Sequence, residues 1–212
     1  MNDPELLQLA RFSTSCSVLG PGKRAVVWVQ GCMRHCPGCV APETWDPGGG
    51  TAFSIEYLAE KLTRNPEVEG LTFSGGEPFL QAAGLCALAD ACRKICPKFT
   101  FLAFTGFTLE ELLAREKRDE LALLARLDIL IDGPYREMEH ENLLWRGSRN
   151  QRVWFLTPRY EHDWKPRIHE TGVRLELEAD SETLHIMGIP PRDFREKMDE
   201  IAQKLHLTQQ NG

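Results

Sequence analysis

The chain has 212 residues, 42% hydrophobic and 26% charged, with a formal net charge of -6; this suits one globular domain, or one domain with a small appendage. No apolar run approaches the roughly 20 residues of a membrane span, and the acidic balance argues against nucleic acid as a main partner. Residues 1–5 are acidic and lack a charged-then-apolar leader, so a cytoplasmic location is expected.

Residues 25–29 form a short β-prone run that ends at Gln30-Gly31 and leads straight into a cysteine loop. Residues 51–66 read as a helix, with Ser54 as N-cap and Ile55, Leu58 and Leu62 on one face. Residues 71–74 are a second strand, broken by Gly75-Gly76, and residues 81–96 carry Leu85, Leu88, Ala89 and Cys92 at helical spacing. A third strand over 99–104 ends at Thr105-Gly106; residues 108–126 are helical, with Thr108 and Glu111 in a capping-box pattern; a fourth strand over 127–131 ends at Asp132-Gly133-Pro134.

Strands alternating with helices imply an α/β fold on a parallel sheet. The strand-ending turns should gather along one sheet edge, where α/β sheets place ligands. Four or five such units are too few for a closed eight-fold barrel, so an open partial (β/α) barrel is expected. Beyond Asn150 the pattern changes: residues 151–156 suggest another strand, 173–178 and 183–189 a β-hairpin around Asp180-Ser181, and 192–207 a closing helix after Pro190-Pro191. Two parts are therefore expected, a core over 1–154 and a C-terminal hairpin-and-helix extension over 155–212 packed on it.

Seven cysteines are present, and in a cytoplasmic chain they read as thiols or metal ligands rather than disulfides. Cys86, Cys92 and Cys96 fall in a helical pattern, where a free cysteine behaves as a small apolar residue. Cys32, Cys36 and Cys39 instead share one loop, Gly31-Cys32-Met33-Arg34-His35-Cys36-Pro37-Gly38-Cys39, with spacing C-x3-C-x2-C. A [4Fe–4S] cubane normally takes four thiolates, so three leave one iron open. An open coordination position is what separates a catalytic metal site from a closed one. The competing reading is structural zinc, which wants four ligands; Cys36 and Cys39 offer one C-x2-C pair, no second pair exists, and His35 or a distant cysteine would have to complete it.

Ser74-Gly75-Gly76-Glu77-Pro78 follows the second strand. Its glycines permit close backbone approach to a ligand, and Glu77 can accept a hydrogen bond from an ammonium group; alone, the segment is also a plain strand-to-helix turn. Thr105 and Asp132 end the next two strands, either as simple turns or as polar groups facing the same cleft.

The cysteine spacing resembles the signature of the radical S-adenosylmethionine (SAM) superfamily, and Gly75-Gly76-Glu77 resembles that superfamily's GGE motif. The resemblance narrows with Gly20-Pro21-Gly22, Val29-Gln30-Gly31-Cys32, Glu43-Thr44-Trp45, the run Thr105 to Leu112, Asp132-Gly133-Pro134 and Trp145-Arg146-Gly147-Ser148-Arg149-Asn150-Gln151-Arg152. Together these are similar to the activating proteins of anaerobic ribonucleoside-triphosphate reductases. The resemblance implies a [4Fe–4S] cluster on Cys32, Cys36 and Cys39, with SAM chelating the open iron and Gly75, Gly76, Glu77, Thr105 and Asp132 around it. It implies reductive cleavage of SAM to a 5′-deoxyadenosyl radical, and a glycyl radical left on a large anaerobic ribonucleotide reductase-like partner. It also implies a reduced flavodoxin or similar electron donor.

The match departs from the family at Ala41, where Asn is frequent, and above all in the residues after 154. Two alternatives therefore stand beside activation. One is a stand-alone radical SAM enzyme that modifies a peptide or small molecule. The other is a non-catalytic Fe–S or zinc module, against which the GGE turn argues.

Overall fold

The structure is a computed structural model that describes residues 5–179 and 183–204. Its centre is a seven-stranded mixed sheet. Four neighbouring strands run parallel: β2 (Arg24–Val29), β4 (Gly70–Gly75), β5 (Thr100–Phe104) and β6 (Ile129–Asp132). They are flanked by antiparallel strands, β1 (Leu6–Cys16) and β3 (Thr51–Ser54) on one side and β9 (Arg152–Phe155) on the other. All of β2 and β6 is buried, as expected of strands covered on both faces.

The side chains divide by period two. Val27 of β2, Phe73 of β4, Phe101 of β5 and Leu130 of β6 pack with Leu58 and Leu62 of helix α1 (Ile55–Thr63), Leu85 and Leu88 of α2 (Ala82–Ile95), and Leu112 of α3 (Leu109–Ala114). Leu123 and Leu124 of α4 (Arg118–Leu124) join the same cluster. Each such fully buried leucine contributes about 1.5–3 kcal/mol. The other sheet face carries Val26, Trp28, Leu102 and Ile131, and is covered by Leu144, Trp145 and Met187.

Those covering residues come from small ribbons outside the main sheet. Strands β7 (His140–Leu143) and β8 (Arg146–Ser148) form one antiparallel pair. A four-residue helix, α5 (Glu161–Trp164), follows β9. The expected hairpin is present as β10 (Arg174–Ala179) and β11 (Leu184–Ile189), with helix α6 (Phe194–Lys204) after it. The turn expected at Asp180-Ser181 and the helix end expected at 205–207 lie outside the described residues.

Three local expectations change. Residues 6–16 form the longest strand, for which the sequence reading had no element. The helix expected from 51 begins only at Ile55, because 51–54 pair with β1 over Leu6↔Ser54 to Leu9↔Thr51. Ser54 is still the N-cap, its hydroxyl accepting from the Tyr57 amide at 3.3 Å. The helix expected over 108–126 is two helices, broken at Glu116, which takes a left-handed φ of 50°. The Thr108–Glu111 capping box is formed as expected.

Candidate functional site

The carboxyl ends of β2, β4, β5 and β6 lie together, and a cavity of about 370 Å³ opens beside them, within the range of small-ligand sites. Cys32, Cys36, Cys39, Gly75, Gly76, Glu77 and Thr105 all line it.

The cysteine loop is fixed at both ends by its own chain. The Gly31 amide donates to the Thr44 carbonyl (2.8 Å) and the Cys32 amide to the Trp45 carbonyl (3.0 Å). Gln30 reaches across the loop, its side-chain amide donating to the carbonyls of Glu43 (3.1 Å) and Asp46 (2.7 Å). His35 stacks on Trp45 at 4.6 Å. Gly38 takes φ 71°, and a Cβ there would press against Tyr135 and Glu137 at 3.2 Å, which explains glycine before the third cysteine.

The donor set fits an iron–sulfur cluster. All three cysteines are half-buried and outside any disulfide. Burial pushes each thiol above its ordinary value, and the thiols raise one another: Cys32 acts on Cys36, and Cys36 on Cys39. A cationic cluster favours the thiolate and so would offset that rise. Backbone N–H groups at Arg34 and His35 oppose the rise at Cys32, and the Trp45 indole N–H opposes it at Cys39. That indole nitrogen is buried and has no partner of full hydrogen-bond geometry, so it points at the sulfur as a weak donor. Among the described residues no three His, Cys, Asp or Glu side chains are arranged to share a single ion. A cubane asks for no such convergence, because its ligands bind separate irons.

The Gly75–Glu77 turn is stitched onto the start of this loop. The Gly76 amide donates to Val29 (2.8 Å) and the Glu77 amide to Gly31 (2.9 Å). A Cβ at Gly76 would collide with the Gly31 carbonyl, so glycine is a steric requirement there. Glu77 is 2% exposed. Burial raises its carboxyl above the ordinary value, against donors at Phe79, Gly106 and Thr105 and the nearby Arg34. Oε1 accepts from the Phe79 amide (3.1 Å) and Thr105 Oγ1 (2.8 Å), and Oε2 from the Gly106 amide (2.8 Å). A carboxylate has about four acceptor positions, so one remains on Oε2, and Glu77 lines the cavity.

Asp132 stands elsewhere. It is fully buried but does not line the cavity; it accepts from the Leu109 amide (2.7 Å) and from both Nε (3.0 Å) and Nη2 of Arg152. The next residue, Gly133, is at the wall. The segment from Arg146 to Arg152, whose individual roles the sequence left open, holds this strand end. Asn150 donates to the Pro134 carbonyl (2.7 Å) and Gln151 to that of Gly133 (3.2 Å). Arg146 is buried, donating to the carbonyls of Gln151 (3.1 Å) and Ile168.

Sequence reasoning passed over several lining residues. Arg34 lies over the Phe107 ring at 4.5 Å and pairs with Glu111 at 3.2 Å, tying the cysteine loop to the start of α3. Its place inside the C-x3-C spacing was the available signal. Pro190, Pro191, Arg192 and Phe194 reach the cavity from the far end of the chain, and no local pattern announces that.

Comparison with known proteins agrees with this geometry. The model of a family described as a 4Fe-4S single cluster domain matches residues 18–154. The anaerobic ribonucleoside-triphosphate reductase-activating protein of Enterobacteria phage T4 is 32% identical over 152 residues, covering 69% of this chain and 93% of that protein. The protein of the same name from Vibrio cholerae is 34% identical over 148 residues, covering 66% and 92%. A pyruvate formate-lyase-activating enzyme from Clostridium pasteurianum is 41% identical over 80 residues, covering 35% and 34%. Cysteine loop, GGE turn and family model coincide in one stretch, and the chain belongs to the 4Fe–4S single-cluster family of radical SAM activating proteins.

Proposed function

We infer that the chain is a radical SAM enzyme that generates a glycyl radical on a large anaerobic ribonucleotide reductase-like protein. The observation that carries this reading is that three cysteines of one loop and Glu77 line a single cavity.

In this reading Cys32, Cys36 and Cys39 would hold a [4Fe–4S] cluster through three thiolates, leaving it a position open to SAM. When bound, the reduced cluster and SAM supply one-electron cleavage to methionine and a 5′-deoxyadenosyl radical, which takes a hydrogen atom from a glycine Cα. Glu77 orients the methionine ammonium through the acceptor position left on Oε2. Thr105 and the Gly106 amide fix that carboxylate. Gly75 and Gly76 let the turn lie against the loop, and Asp132 acts at one remove, anchoring Leu109 and Arg152 beneath the wall. The mixed sheet would serve as an open partial barrel, with residues 1–154 as the catalytic core and 155–212 as an extension of it. Reduced flavodoxin or a similar protein supplies the electron, in the cytoplasm.

The test is anaerobic reconstitution of the full chain with iron and sulfide, then SAM and dithionite. We expect four irons per chain and formation of 5′-deoxyadenosine and methionine, with Cys32→Ala, Cys36→Ala and Cys39→Ala each losing both cluster and cleavage. A cubane that persists in any of these variants, or a loaded wild type that leaves SAM intact, overturns the reading. Mixing with a reductase encoded beside this chain should give a glycyl doublet in electron paramagnetic resonance. A diamagnetic product on a short peptide would favour the modifying enzyme instead.

A further inference from the structure

The family model stops at residue 154, and the phage relative uses 93% of its length to match 69% of this chain. Yet the cavity that holds the three cysteines is walled in part by Gly188, Ile189, Pro190, Pro191, Arg192 and Phe194. The segment is anchored from two sides. On one, Met187 is 2% exposed and packs with Cys16, Leu19, Val26 and Trp28, Arg11 donates to the Ile186 carbonyl at 3.3 Å, and the Ser17 amide donates to Glu176 at 2.7 Å. On the other, Asn142 of β7 donates to the carbonyls of Ile189 (3.0 Å) and Pro190 (3.2 Å). Arg192 then lies 3.7 Å from Glu137, on the loop against which Gly38 packs. Two consecutive prolines stiffen the stretch between these anchors, because each has a fixed φ.

A segment that only covered a sheet edge would have no reason to present side chains to the cluster cavity. We propose that residues 188–194 form a specificity-determining wall that limits, by size, which glycine-bearing segment of a partner reaches the site; this rests on the function inferred above. The occupant it fits is an extended polypeptide with small residues beside the glycine. The wall facing it is apolar at Ile189, Pro190 and Phe194 and charged at Arg192, which meets Glu137, and at Glu196 just beyond it.

Two measurements test the proposal. The first uses the reconstituted full chain and blocked heptapeptides centred on Cα-deuterated glycine, flanked on each side by alanine or by leucine, and follows deuterium transfer into 5′-deoxyadenosine. Wild type should favour the alanine-flanked peptide by about tenfold or more, the range in which hydrophobic pockets discriminate by size, and Phe194→Ala should lose most of that preference. Equal preference in both proteins, or no transfer from either peptide while 5′-deoxyadenosine is made, overturns the wall. The second uses the cluster-free full chain, so it reads the wall even if SAM is never cleaved, an outcome that would sink only the parent reading. The labelling rate of Cys36 and Cys39 by a polyethylene-glycol maleimide, relative to iodoacetamide, should rise several-fold in Phe194→Ala. It should also rise in Arg192→Ala, a safer variant because that side chain is 55% exposed. An unchanged ratio in both variants overturns the proposal.

Discussion

Thr105 Oγ1 donates a 2.8 Å hydrogen bond to Glu77 Oε1, linking the turn after β4 to the end of β5 inside a buried pocket. A buried carboxylate that loses one donor costs about 1–3 kcal/mol. Thr105→Val should therefore lower the urea stability of the cluster-free chain by that amount, while Thr105→Ser, which keeps the hydroxyl, should recover most of it. Equal losses in the two variants would mean that the methyl group, not the bond, is what matters.

Gly76 makes a sharper demand. The Gly31 carbonyl occupies the position of any Cβ, and both backbone segments are held by the hydrogen bonds from Gly76 to Val29 and Glu77 to Gly31. Gly76→Ala forces them apart, at about 1–3 kcal/mol for an overpacked site. Because Gly31 precedes Cys32, iron content after reconstitution should fall along with the melting temperature. Ala at Gly172, where nothing lies within 4 Å, meets no steric obstacle and is the control for added bulk, though not for its positive φ.

The residues that line this cavity were more legible in the sequence than their setting. The cysteine spacing, the GGE turn and Thr105 are local strings, and the structure brings all of them to one cavity. The four parallel strands were equally plain, being short apolar runs ended by glycine or polar turns. β1 was hidden because its Arg11 and two serines interrupt the apolar pattern, and its partner β3 was absorbed into the helix it precedes. The break at Glu116 was hidden too, since the sequence from Leu109 to Leu124 is made of good helix formers and the left-handed residue is no glycine. Placement of the tail against the cysteines is a long-range fact, set by a hydrophobic anchor at Met187 and by Asn142, which no local period encodes.

Arg152 joins two carboxylates of different exposure. Asp132 is fully buried, and Glu110, exposed, is bonded at 3.0 and 2.6 Å. Arg152→Ala leaves Asp132 with one amide donor. Breaking a fully buried pair costs about 3–5 kcal/mol; with Arg152 39% exposed, about 2 kcal/mol is expected, measured by urea denaturation.

Glu110 gives that pair a pH signature. Arg152 holds its carboxyl down at about 2, below the ordinary 4.5. With the folded value depressed, the stabilisation is complete above 4.5 and is lost as the pH falls through about 2. Glu110→Gln should flatten that part of the acid limb and leave the curve unchanged near neutrality, apart from a constant offset. An acid limb identical to wild type would show that solvent already screens the pair.

The seven thiols should separate by reactivity in the cluster-free chain. Cys92 is fully buried in α2 and its thiol is pushed up to about 12 by desolvation. At pH 8 its thiolate fraction is then on the order of 0.0001, too low for alkylation on a scale of minutes. Burial raises Cys16 and Cys86 as well. Cys32, Cys36 and Cys39 are also raised, but they are half-exposed on a cavity wall. Iodoacetamide at pH 8, read by peptide mass spectrometry, should label these three and the half-buried Cys96 first and leave Cys92 unmodified until urea unfolds the chain. Prior labelling should then block later iron uptake in proportion to the modified loop cysteines, because each alkylated sulfur is a lost iron ligand. Labelling of Cys92 at the rate of the loop thiols would contradict the packing of α2 against the sheet.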